Sequence, residues 1–324
     1  MSGVIFNTDG GYGSFKSHFY DNGKNKSDKI LNAVYQVTKK SEINDETIYN
    51  FNGKDYIIGE EASNYVSVSA RTFEQLLEFM PLFIYASIKK AGLDLKDVET
   101  LITGLSLLNY KENNNTGKEM FKEMLSKPMK VNGEEFKIDN IVLTTQGQGI
   151  YWEYLKKKEN KNQRNIIIGD IGMNTFDVLV YRNRKISGEK SYANNMGVNK
   201  IVNKLANYIS DTYAIEAPSE QVTIKYLQEE KFKHKGQEIS LEDIIVKIKD
   251  DYIKDIMNDM QTRVGKDIID SADAVVFGGG GCYYLPKKLP EPHFVLTDEP
   301  YEFSNVRGYP LGLDAKFLST LKGE

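Results

Sequence analysis

The sequence predicts an α/β protein assembled from two similar halves, and three observations lead there. Short strand-like runs alternate with longer amphipathic helices over most of the chain. The alternation starts afresh after the charged stretch that ends at Arg164. A short motif that closes the first strand, Asp9 to Lys16, recurs at Asp170 to Asp177. With 324 residues, of which 40% are hydrophobic and 27% charged, the chain has an ordinary globular composition and can bury a sizeable core.

The elements follow in order. The run VIFNT enters the stretch NTDGGYGSFK and SFKSHFY leaves it, so a β-hairpin is predicted whose turn carries Asp9 and several glycines. Glycine tolerates positive φ, and taken alone this is an ordinary turn. ILNAVYQVT reads as another strand, and YNFNGKDYIIGEEA as a hairpin turning at Asn52 and Gly53. In FEQLLEFMPLFIYASIKKAG the apolar residues recur at three and four, which predicts a helix stopped by Gly92 with its aromatic and methionine side chains in the core. VETLITGLSL and NIVLTTQGQG are buried strands, separated by NNNTGKEMFKEMLSK, a polar loop running into a short amphipathic helix.

Past Arg164, NIIIGDIGMNTFDVLVYRN predicts two strands around a tight turn. Helices are expected at 197–213, 219–231 and 240–264, the last opened by a variant capping box of Ser240 and Asp243. SADAVVFGGGG is a buried strand that runs into Gly278, Gly279, Gly280 and Gly281, and 302–321 is a loop with a short helix.

Several function classes are disfavoured. The net charge is −4 with a pI near 5.7, and LKKKENKNQR is a solvated helix end and loop, so direct nucleic-acid binding is not expected. No apolar run reaches membrane-spanning length and the N-terminus lacks a signal pattern, so a cytoplasmic protein without membrane attachment is expected. The single cysteine, Cys282, excludes an internal disulfide and reads as a small buried hydrophobe; the Asn114-Asn115-Thr116 sequon then carries no meaning. His18, His234 and His293 are scattered without cysteine partners, which argues against zinc. Neither a G-x-S-x-G elbow nor the G-x-x-x-x-G-K-[ST] phosphate loop occurs.

DGGYGSFK and DIGMNTFD share Asp, then Gly two residues on, Gly or Asn, Ser or Thr, Phe and a final charge. Two turns of one design imply two halves of one design. Each ends a strand with a carboxylate and then offers backbone N–H groups at small residues, the makings of an anion nest. Facing each other, two such turns would clasp a polyphosphate while Asp9 and Asp170 hold Mg²⁺ through its waters. The bland alternative is a pair of turn-forming Asx caps.

These residues resemble the actin, sugar-kinase and heat-shock-chaperone ATPase superfamily, and within it the prokaryotic actin-like proteins of the ParM type. Asp9, Gly11, Tyr12, Gly13 and Lys16 match the first phosphate loop, and Asp170, Gly172, Asn174 and Thr175 the second. LTTQGQGIYWEYL is similar to the first connecting segment, with Thr145 where the family has proline. VVFGGGGCYYL is similar to the adenosine motif and NVRGYPLGL to the second connecting segment. NGKDYIIGEEA and LITGLSLLNYK also resemble ParM-type stretches, the latter with Ser106 in place of a proline.

The resemblance implies two similar actin-like, ribonuclease H-like domains around a nucleotide cleft, one formed by 1–150 plus 305–324 and the other by 151–304. It implies Mg²⁺ with ATP or GTP, Lys16 toward the β-phosphate, Asp170 and Gln146 orienting the attacking water, and Gly278 to Gly281 against base and ribose. For Gln146 the alternative is a polar helix cap, and for Lys16 a surface lysine. The chain leaves no room for a chaperone's peptide domain and shows no base for a sugar kinase. The expectation is therefore a filament-forming, slow NTPase whose partners are further copies of itself and a centromere-binding adaptor, acting in plasmid segregation. A chromosomal actin-like protein, or a monomeric kinase or regulator of the same fold, are the alternatives.

Overall fold

The computed structural model describes residues 3–21, 24–38, 47–65, 67, 72–111, 116–286 and 288–314. Asn114 and Asn115 of the sequon, and the part of the expected terminal helix from 315 onward, lie outside these residues. The chain divides into two compact units, Met1–Asn162 with Thr297–Glu324, and Gln163–Leu296. The boundaries expected from sequence were 150/151 and 304/305. The difference arises because the helix after Gly147 and the segment from Thr297 belong to one packing unit, tied by Lys157 to Asp298 at 2.6 Å.

The first unit opens with β1 (Val4–Gly10), β2 (Ser14–Asp21), β3 (Lys24–Leu31), β4 (Val34–Gln36), β5 (Tyr49–Phe51) and β6 (Lys54–Ile58). It continues with α1 (Phe73–Lys90), β7 (Val98–Leu105), α2 (Leu107–Lys111), α3 (Thr116–Ser126), β8 (Met129–Val131), β9 (Glu134–Phe136), β10 (Asn140–Thr145) and α4 (Gln148–Lys156). The main sheet has the order β10-β7-β1-β2-β3: β1 is antiparallel to β2 and parallel to β7, and β10 is parallel to β7. A smaller sheet runs β4-β6-β5-β8-β9.

Side chains alternate across the main sheet, so Phe6, Phe15 and Phe19 enter one core. There Phe15 stacks on Phe83 of α1 with ring centroids 5.7 Å apart. Burying each such ring contributes roughly 1.5–3 kcal/mol. Helix α1 starts where expected, with a capping box of Thr72 and Gln75, and ends before Gly92 at φ 75°. The Asn52-Gly53 turn has both residues at positive φ, as a two-residue hairpin requires. The run from Ile30 does not form one strand: it breaks after Leu31, and Val34–Gln36 joins the smaller sheet. Hydrophobic pattern alone cannot show that a run changes partners.

The second unit holds β11 (Ile166–Ile171), β12 (Phe176–Arg182), β13 (Lys185–Ile186), β14 (Tyr192–Asn194), α5 (Asn199–Tyr213), α6 (Glu220–Glu229), β15 (Lys231–His234), β16 (Gln237–Ser240), α7 (Glu242–Arg263), α8 (Lys266–Asp270), β17 (Ala274–Gly278) and β18 (Phe294–Leu296). Its sheet, β13-β12-β11-β17-β18, repeats the first: an antiparallel hairpin, then two parallel strands. The helix expected at 219–231 ends at Glu229, and Lys231 begins a hairpin turning at Lys235 and Gly236. Ser240 closes that hairpin. Its hydroxyl accepts from the Glu242 N–H at 3.3 Å and does not cap the helix in the expected box. After β18 the chain returns to the first unit and forms α9 (Ser304–Gly308).

Among the described residues no helix is long and apolar enough to cross a membrane.

His18 of β2 is 6% exposed, and its Nδ1 lies 2.7 Å from the Ser27 hydroxyl. Burial first, then the charge of Arg307, hold its pKa down at about 4; Lys156 acts in the same direction and the Asn25 hydrogen bond against it. The unfolded imidazole takes up a proton below about 6.5, whereas the native one does so only near 4. Stability should therefore be complete above that window and fall as the pH drops through it, by up to about 3 kcal/mol. Urea unfolding at pH 7 and pH 4.5 checks this: His18→Gln should lose less stability between the two than the parent, and an equal loss would contradict it.

Candidate functional site

The repeated motif occupies the same place in both sheets, down to the register. Asp9, the penultimate residue of β1, faces Lys16 across the hairpin and lies opposite Gly104 in the parallel neighbour β7. Asp170, the penultimate residue of β11, faces Asp177 and lies opposite Gly278 in β17. Each aspartate lies directly opposite its partner in the antiparallel hairpin, so the two side chains share a face. Asp9 is 4% and Asp170 6% exposed. An unpaired buried carboxylate costs several kcal/mol, so each must have partners.

For Asp9 the partners are visible. Lys16 Nζ lies 3.5 Å from Oδ2, and Gln146 Nε2 donates to Oδ1 at 2.6 Å. A carboxylate only accepts, so the amide nitrogen of Gln146 must face it and Oε1 points elsewhere. Gln146 is fixed at its backbone by donation of its N–H to the Leu105 carbonyl at 2.8 Å. Gly104 matters here for space: a Cβ would run into the Tyr309 hydroxyl and come within 3.4 Å of Gln146 Cγ.

The glycines of the first turn have a different reason from the one the sequence supplies. Neither Gly11 nor Gly13, nor Gly172 in the second turn, has positive φ. At Gly11 the requirement is close approach, since a Cβ would sit 2.6 Å from Lys16 Nζ and 3.2 Å from the Ser14 carbonyl. The Gly11 N–H closes its own turn onto the carbonyls of Asp9 and Ser14 at 3.1 and 3.2 Å, and the Gly172 N–H does so onto Thr175 at 2.9 Å. In each turn the N–H of the glycine, Gly11 or Gly172, is thus spent on shape, and the later residues are Tyr12 and Gly13 in the first turn and Asn174 and Thr175 in the second.

The turns are braced by residues that sequence reasoning missed. Asn32 donates its N–H to the Gly13 carbonyl at 3.1 Å and its side-chain amide to the Gly11 carbonyl at 3.0 Å. In the second unit the start of α5 does the same work. Gly197, Val198 and Asn199 donate N–H groups to the carbonyls of Asn174, Gly172 and Met173 at 3.3, 3.1 and 2.9 Å. Gly197 has no room for a Cβ, which would meet the Asn174 carbonyl carbon at 2.5 Å.

The glycine run after β17 packs against this second turn. Gly278 is the β17 partner of Asp170. Gly279 has φ 86°, and a Cβ there would strike Asp170 Oδ1; one on Gly281 would strike the Ile171 side chain. Cys282 is 3% exposed, and burial, with the charge of Asp170 second, pushes its thiol well up, so it behaves as a packed hydrophobe. Thus Asp9, Gly11, Tyr12, Gly13, Lys16 and Gln146 are gathered in the first unit, and Asp170, Gly172, Asn174, Thr175 and Gly278 to Gly281 in the second.

Residues 168–291 match the family described as archaeal actin homologue MreB-like, C-terminal. No curated protein matches the chain by sequence. The crystal structure of Ta0583, an archaeal actin homologue, aligns with a TM-score of 0.78 at 18% identity, covering 96% of this chain and 99% of that one. The 15-stranded ParM filament from Clostridium botulinum aligns with a TM-score of 0.77 at 20% identity over 100% of both chains. Bacillus thuringiensis ParM with ATP aligns with a TM-score of 0.64 at 16% identity, covering 100% and 99%. The duplicated sheet and these alignments agree: the chain has the two-domain actin-like fold.

Proposed function

We propose that the chain binds a nucleoside triphosphate, ATP or GTP, with Mg²⁺, hydrolyses it slowly and polymerises in its bound form. The observation that carries this reading is the duplicated strand-end aspartate, at the same register and opposite a glycine in both sheets. Duplicated turns of this kind serve one polyphosphate, with Lys16 supplying positive charge and the later N–H groups of each turn supplying donors. Gly278 to Gly281 offer backbone to base and ribose.

The donor set fits a hard cation. Asp170 and Asp177 stand directly opposite each other, and oxygen ligands of this kind suit Mg²⁺. Among the described residues no group of three or more His, Cys, Asp or Glu side chains that could hold a metal ion is found. Asp9 and Asp170 would hold it, and when bound it would neutralise charge on the phosphate oxygens. Gln146 acts on the attacking water: its Nε2 is committed to Asp9, so Oε1 accepts a hydrogen from the water and aims it. Asp170 shares in that orientation.

Assembly is supported by the fold shared with the ParM filament. A head-to-tail contact between identical subunits does not close and so produces an open polymer. Following the ParM resemblance, the filament moves plasmid DNA through a centromere-bound adaptor. A second reading, a chromosomal cytoskeletal protein, is favoured by the match of residues 168–291 to the MreB-like family.

Two outcomes check the proposal. With Mg²⁺ and ATP or GTP, light scattering should rise above a critical protein concentration and fall as nucleotide is spent; a protein that hydrolyses nucleotide yet stays monomeric at high concentration, across salt and crowding conditions, would be a kinase or regulator of the same fold. Gln146→Ala should slow phosphate release by roughly 10²-fold with nucleotide affinity unchanged, since it acts mainly on the transition state. An unchanged release rate would make Gln146 structural.

A further inference from the structure

Gln146 stands at the junction of β10 and α4, and what holds that junction comes from far along the chain. Gly147, the next residue, has φ 87° and opens α4 without a side chain that could cap it. Its N–H donates to Asn305 Oδ1 at 2.9 Å in a buried bond, and Asn305 itself is 2% exposed.

The helix that carries Asn305 is pressed onto the start of α4. A Cβ on Gly149 would strike the Asn305 carbonyl, and one on Gly308 the Gly149 carbonyl. Arg307 fastens the contact by pairing with Glu153 of α4, while its guanidinium also donates to the carbonyls of Pro300 and Asp298 at 2.9 and 2.7 Å. Loss of the Gly147 bond would free the peptide plane that joins Gln146 to Gly147. That plane begins at the Gln146 Cα, from which the side-chain amide reaches Asp9 at 2.6 Å.

We propose that Asn305 is a positioning residue for hydrolysis, acting through the Gly147 N–H to hold the Gln146 amide in line with Asp9. This rests on the reading of Gln146 as the residue that aims the attacking water. A misplacement of about 1 Å at such a group costs on the order of 10²-fold in rate, so a single backbone hydrogen bond is enough to matter.

The test uses the full chain with Mg²⁺ and ATP, following phosphate release and the affinity for a fluorescent ATP analogue. Asn305→Leu keeps the volume and removes the acceptor; Asn305→Asp keeps an acceptor at the same reach. Asn305→Leu should lower the turnover rate at least about tenfold with affinity within about twofold, and Asn305→Asp should recover most of the rate. In a Gln146→Ala background Asn305→Leu should cause no further loss. Should Asn305→Leu not fold, Asn305→Ala provides the same comparison. Normal turnover in the acceptor-less variant, no recovery by aspartate, or an equal loss in the Gln146→Ala background would each overturn the assignment. If Gln146→Ala itself turns over normally, the underlying reading of Gln146 fails instead.

Discussion

The structure turns on a buried carboxylate at the end of a sheet strand. Asp9 is nearly inaccessible, and its charge is tolerable only because Lys16 and Gln146 are brought to it. That requirement explains the elements around it. The hairpin register sets Lys16 on the same face, the parallel strand β7 offers a glycine where a Cβ would strike the Tyr309 hydroxyl, and the junction from β10 into α4 takes a left-handed residue. Charge-assisted hydrogen bonds contribute roughly 1.5–3 kcal/mol each, which offsets much of the burial penalty at a site that would otherwise be a liability.

The second unit repeats the geometry with a different charge. Where β2 carries Lys16, β12 carries Asp177, so a strand-end ion pair becomes a pair of opposed carboxylates. Like charges directly opposite each other are unfavourable in a sheet. In the proposed function a cation would relieve them, and the two halves then differ in one respect: both strand-end aspartates face the metal, and only the first half adds a lysine for phosphate. The two turns share their spacing and register and differ in charge at one position, Lys16 against Asp177.

Much of this was legible in the sequence because local chemistry determines it. The motif repeat identified Asp9 and Asp170 as equivalent, Asn52-Gly53 specified its hairpin, and the three-and-four spacing marked α1 through to Gly92. What could not be read depends on partners distant in sequence. Asn32 lies in a run that reads only as a strand, and Gly104 and Asn305 lie in family-like stretches that give neither residue a role; the fold brings Asn32 against the first turn, Gly104 beside Tyr309, and Asn305 onto the Gly147 N–H next to Gln146. The glycines were recognised, but their positive-φ rationale was wrong for the turns themselves; Gly11 is needed for the approach of Lys16 and Gly279 for that of Asp170. Boundaries failed where one pattern hides two elements, as at Leu31, and where Ser240 serves a hairpin instead of a helix cap.

The central claim is that the two strand-end aspartates serve one and the same nucleotide. Calorimetric titration of the chain with Mg²⁺ and ATP or GTP, held below the concentration at which it assembles, tests this most directly. The account predicts one nucleotide per chain, and a loss of affinity of at least about tenfold, or ~1.4 kcal/mol, in Asp9→Ala and in Asp170→Ala alike. Two nucleotides per chain, or a variant of either aspartate that binds as the parent does, would contradict it.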